Sequence, residues 1–238
     1  MIIRVNPQDR PPQHGGRLVQ MFGDRNVPWD GPCGHLVNQR PEDDNGAHFH
    51  EADQYQLFIA GEGQVGGHAV ATGSVHYADG YSGYGPITTG PQGCSYLTLR
   101  PSFDNTRHLL PAEAALAKGR KGRQHNARMN LDAACVPGVI ALFERPDGVG
   151  AYQVEVAPGA APASVMLRGG SYWVVMRGEA EIDGQASPPS TCVWVGEGEA
   201  PPAIIAGPDG VTIAVLGFAD RRSQTARGAR TWQGAEVH

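Results

Sequence analysis

The sequence predicts an all-β protein made of two tandem barrels, and three observations carry that expectation. Gly and Pro contribute 33 and 19 of the 238 residues without any period, which excludes collagen and punctuates the chain with turns. Short runs rich in Val, Ile, Tyr, Phe and Thr lie between those turns, with no alternating long helices, so an antiparallel sandwich or barrel is favoured over a doubly wound sheet. The chain also repeats itself at a constant offset of 117 residues.

The repeat holds without a gap over residues 30–101. Asp30-Gly31 recurs as Asp147-Gly148, Gly61-Glu62 as Gly178-Glu179, and Gly90-Pro91 with Gly93 as Gly207-Pro208 with Gly210. Val37, Pro41, Tyr55, Gly67, Ala69, Ile87 and Leu99 recur as Val154, Pro158, Tyr172, Gly184, Ala186, Ile204 and Leu216. A Gly-rich chain supplies some such matches by chance, but chance does not hold register through a dozen turns.

Strands are expected in the first copy at 18–22, 35–38, 54–60, 64–70, 75–78 and 95–100. Their partners in the second lie at 139–144, 152–156, 171–176, 180–182, 191–195 and 211–218. This divides the chain into a barrel over 1–108, a partly helical linker over 109–132, a barrel over 133–219 and a polar tail over 220–238. The linker contains the best helical stretch, Pro111 followed by Ala-rich residues to Lys118, and then Arg120, Lys121 and Arg123 as a solvated basic end.

Composition narrows the function. With 40% hydrophobic residues and no apolar run of about 18, neither disorder nor a membrane span is expected. A net charge of −5 argues against a nucleic-acid surface. Cys33, Cys94, Cys135 and Cys192 are widely spaced, unlike a zinc ribbon or a disulfide scaffold, and residues 1–7 carry no secretory pattern. A reduced, cytoplasmic setting is therefore expected. Barrels of this kind tend to pair through edges or faces, so a homodimer is expected too.

The chemistry concentrates between Gly46 and Gly61. Along a strand, residues i and i+2 share a face, so His48 and His50 point the same way and Gln54 has the same parity. Two imidazoles and an amide oxygen converging inside a barrel form a first shell for a divalent metal. Glu51 and Asp53 have the opposite parity, and His68 sits near a strand end.

At these residues the sequence resembles the cupin superfamily. That family's first motif places His-x-His, then an acid or amide, then Gly at fixed gaps; His48, His50, Gln54 and Gly61 match them, and Gly46 stands closer than the usual leading Gly. In the second motif, laid on residues 73–84, the spacing fits but Asp79 and Tyr81 replace the usual Pro and Gly, and Tyr84 stands where the fourth metal ligand belongs. The resemblance spans both copies and implies a bicupin of jelly-roll barrels.

It implies a metal set of His48, His50, Gln54 and His76, with Tyr84 or water as other candidates for the last position, binding Mn, Fe, Ni or Zn. His76 and Tyr84 are the candidate catalytic groups for moving a proton. The implied function is a metal-dependent enzyme acting on a small oxygenated molecule, as a lyase, isomerase or dioxygenase. The alternatives are a non-catalytic binder of sugars or organic acids, its pocket rimmed by Tyr55, Phe58, Tyr77, Tyr81, Tyr84 and Tyr96, or a metal-free scaffold. In the second copy Val165, Leu167, Ser171, Val193 and Pro201 occupy the positions of His48, His50, Gln54, His76 and Tyr84. That barrel is therefore expected to be apolar and without ligands.

Overall fold

The computed structural model describes residues 3–220 apart from 11, 15, 25, 121 and 135, so the tail beyond Asp220 and Cys135 lie outside the described residues. Among them the regular secondary structure is nearly all strand. The first half comprises β1 (Ile3–Val5), β2 (Leu18–Phe22), β3 (Cys33–Gln39), β4 (His48–Phe49), β5 (Gln54–Val65), β6 (His68–Ala71), β7 (Ser74–Ala78), β8 (Ile87–Arg100) and β9 (His108–Leu109). The second comprises β10 (Gln124–Arg128), β11 (Gly138–Glu144), β12 (Gly150–Val156), β13 (Ser171–Ile182), β14 (Gln185–Ser187), β15 (Cys192–Val195) and β16 (Ile204–Gly217). The pairs β3 and β12, β5 and β13, and β8 and β16 are displaced by 117 residues at both ends.

One antiparallel sheet runs β10-β7-β5-β8-β3-β2 with β6 on β5, and the other runs β1-β15-β13-β16-β12-β11 with β14 on β13. A shared bulge bends the long strands. Gly61 and Gly178 sit at φ +74° and +73°, and a Cβ there would lie 2.1 and 2.2 Å from the carbonyl oxygens of Gly93 and Gly210. Only glycine fits, which explains why both copies keep it.

Each sheet borrows its outermost strand. β10 precedes the second repeat yet pairs with β7 of the first, while β1 pairs with β15 of the second. Asn126 lies opposite His76 and Arg4 opposite Val193, two positions themselves 117 apart. The exchange covers sheet edges that would otherwise present unpaired backbone. Within residues 109–132 the helical content is a single 3₁₀ turn, Ala114–Ala117, with no buried residue. An Ala-rich segment this short, with no apolar face to bury, does not sustain an α-helix.

Alternation along the strands splits the core in two. Tyr55, Leu57, Tyr77 and Leu99 pack with Tyr172, Val174, Trp194, Leu216 and Phe218 in one cluster between the two sheets. Tyr55 donates to the carbonyls of Gly150 and Gly217, both at 2.9 Å, and Tyr172 reciprocates with those of Cys33 and Arg100, at 3.3 and 2.8 Å. Donors and acceptors alike are 117 residues apart. The opposite strand faces line the barrels, and the second is filled by Val154, Trp173, Val175, Val193, Ile213 and Val215, as expected.

Candidate functional site

The interior of the first barrel is apolar at one end, where Phe58, Val65, Ile87 and Tyr96 cluster, and polar at the other. Gln54, Gln56 and His76 are buried on its inward face, joined by Thr98 and Arg100 of β8. His48 and Tyr84 are locked opposite each other by a two-way backbone bridge, with both N–H to O distances 3.0 Å. The His48 and His50 rings meet edge to face at 5.2 Å between centroids, as their shared parity required. They open onto a cavity of about 600 Å³ whose wall includes His48, His50, Gln56, Tyr84, Tyr96 and Arg100.

One directed chain of hydrogen bonds crosses this interior. The Arg100 guanidinium donates to Gln54 Oε1 from Nε (3.2 Å) and Nη2 (3.1 Å), and Gln54 Nε2 donates to the Tyr84 oxygen at 2.5 Å. The Tyr84 hydroxyl donates to His48 Nε2 at 2.9 Å, and His48 Nδ1–H donates to the Gly46 carbonyl at 2.7 Å. Both ends set the direction: a guanidinium only donates and a carbonyl only accepts.

The other two histidines are oriented the same way. His50 Nδ1–H donates to the Thr106 carbonyl and His76 Nδ1–H to Asn126 Oδ1 at 2.8 Å, on the borrowed strand β10. Each leaves Nε2 as the acceptor, and His76 Nε2 is buried with no partner. Burial lowers His48 to about 4, aided by the charges of Arg107 and Arg100, and burial aided by Arg100 holds His50 far below the usual histidine range. Burial also lowers His76 to about 4 and pushes Tyr84 up to about 12. All four groups are neutral near pH 7.

The residues present do not fit a resident divalent metal. Because Arg100 must face an acceptor, Gln54 turns its oxygen away from the centre and presents an NH₂, which is not a metal donor. The Tyr84 hydroxyl occupies the point where His48 and Gln54 converge. Among the described residues no group of three His, Cys, Asp or Glu is placed to hold a metal ion. The carboxylates in the cavity wall, Asp43, Asp44 and Asp104, are bonded elsewhere, while a buried guanidinium supplies positive charge.

The expected set of His48, His50, Gln54 and His76 is thus only partly brought together. His48 and His50 line the cavity, whereas Gln54 and His76 stand behind its wall, His76 with its ring 5.2 Å from that of Tyr84. Of the expected aromatic rim, only Tyr84 and Tyr96 reach the cavity. Tyr55 and Tyr77 point instead into the core between the sheets, as their odd parity dictates, and Tyr81 lies under the Arg120 guanidinium. Arg100 was missed. Its signal was available: it shares inward parity with Tyr96 and Thr98, and its counterpart 117 residues on is Gly217.

No protein-family model matches the sequence, and no curated protein does either. Solved structures do match. A bacterial pirin from Escherichia coli, crystallised with nickel(II), superposes with TM-score 0.59 at 12% identity, over 92% of this chain and 100% of that one. Oxalate decarboxylase from Bacillus subtilis, studied for its Mn(II) centres, gives 0.58 at 12% over 92% and 77%. The 11S allergen from Cocos nucifera gives 0.62 at 12% over 92% and 90%. The chain therefore has the cupin fold in its two-barrel form. Proteins sharing that fold thus include a decarboxylase with Mn(II) centres and an 11S allergen, so fold alone leaves the activity open. No helix among the described residues is long and apolar enough to cross a membrane.

Proposed function

We propose that the first barrel is a chamber in which neutral imidazoles move a proton on a small oxygenated organic molecule, without a resident metal. This is chemistry of the lyase or isomerase kind. The observation that carries it is the common orientation of His48, His50 and His76, each with Nδ1 tied to an oxygen and Nε2 left as acceptor. His50 is the general base in this reading, because it lines the cavity and its Nε2 has no partner among the described residues. Tyr84 and Gln54 are positioning residues that hold His48. Burial makes this imidazole a weak base, and a negative group on the ligand beside it would favour the charged form and raise its basicity.

The test is solvent-deuterium incorporation next to the carbonyl of pyruvate, 2-oxobutyrate and acetoacetate, followed by NMR on chelator-treated full-length protein. Exchange above the buffer rate is expected with at least one probe, and His50→Ala should slow it by about 100-fold or more. Exchange with none of them, or only after adding Mn, Fe, Ni or Zn, overturns the proposal.

A further inference from the structure

Arg100 is 4% exposed, yet no carboxylate among the described residues pairs with it. Its contacts are neutral: two bonds to Gln54 Oε1 and one from Nη1 to the Asp104 backbone carbonyl at 2.7 Å. The Asp104 carboxylate keeps its charge but is turned to the backbone N–H groups of Ala52 and Thr106 and to the Thr106 hydroxyl, and forms no ion pair with Arg100. The other charges around the cavity are engaged at its mouth. Arg17 pairs with Asp43, Arg107 is held by Asn45, and Asp44 accepts from the Gly46 N–H.

A guanidinium carries five N–H donors, and the bonds described leave one on each terminal nitrogen. Arg100 belongs to the cavity wall, and two N–H donors on one guanidinium suit the two oxygens of a carboxylate. A buried charge without a partner is costly, and a ligand of charge −1 removes that cost without leaving a surplus. A phosphate dianion would leave one.

We infer that the cavity of the first barrel takes a small monocarboxylate, bound by Arg100 through the free N–H groups of its terminal nitrogens. This rests on the reading of that cavity as a chamber for small oxygenated molecules and names their class. The bound anion offsets the Arg100 charge beside His48 and His50.

The experiment is isothermal titration of full-length, chelator-treated protein with glycolate, lactate, pyruvate and benzoate, each against its neutral amide, and with inorganic phosphate. At least one acid should bind about tenfold or more tighter than its amide, and Arg100→Gln should erase that preference. The wild-type comparison decides the matter if the variant does not fold. Acids no better than amides, no binding by any acid, tighter binding of phosphate, or an undiminished preference in folded Arg100→Gln each overturns the inference. Carboxylate binding without deuterium exchange removes the proposed chemistry and leaves this site standing, whereas exchange without a carboxylate preference does the reverse.

Discussion

The two barrels share a backbone plan and differ in what they enclose. Strand for strand they are offset by 117 residues, and they meet through the reciprocal tyrosines Tyr55 and Tyr172. Inside, Gln54, Gln56, His76, Thr98 and Arg100 of the first barrel face Ser171, Trp173, Val193, Val215 and Gly217 at the matching positions of the second. Apolar packing evidently suffices to build this barrel. Burying polar groups costs free energy unless every one is satisfied. A polar interior with an unpartnered His76 Nε2, an unpartnered Gln56 Oε1 and an unpaired guanidinium is therefore not what folding alone requires.

The largest expected break between the barrels is with pH. His48 and His76 stay neutral down to about 4 in the fold but take up a proton below about 6.5 when unfolded. The unfolded chain binds more protons between those values, so stability is full above 6.5 and is lost as pH falls toward 4. Each contributes a loss on the order of 2 kcal/mol by pH 5. Thermal unfolding between pH 7.5 and 5 should show it, and, because His50 is depressed as well, His76→Val should remove about a third of the slope. An unchanged slope in that variant would mean His76 titrates normally.

Grafting polarity into the second barrel sharpens the comparison. Val193→His places an imidazole opposite Arg4 where the first barrel has Asn126, so no acceptor waits for its Nδ1–H. Urea unfolding should register a loss of about 2–3 kcal/mol. A neutral result would show that the second interior tolerates polar groups as well as the first.

The smallest effect tests the symmetry itself. Tyr55→Phe and Tyr172→Phe each remove one hydroxyl bonded to two carbonyls across the interface. Each should cost about 1–2 kcal/mol in the same assay, and the two should agree. A several-fold disparity would mean the sheets do not bear on each other equally.

Much of this was legible beforehand. The repeat gave the offset between the copies, although the long strands run further than expected, β5 on to Val65 and β8 from Ile87, and period-two parity brought His48 and His50 together. Parity also settles why Tyr55 and Tyr77 left the expected rim: neighbouring residues on a strand point to opposite faces, and Gln54, Gln56 and His76 already occupy the inward one. What parity does not reveal is which way an amide turns. The orientation of Gln54 follows from Arg100, 46 residues away, and that contact changed a presumed metal ligand into a donor.

By itself, then, the sequence determined the two-barrel plan, the turn glycines, the apolar second interior and the histidine pair, because each depends on local periodicity or on the repeat. Tertiary structure alone decided the exchange of β1 and β10 between sheets, the partnership of His76 with Asn126, and the buried charge at Arg100. Those outcomes depend on pairings between distant segments and on desolvation, and both arise only once the chain has closed on itself.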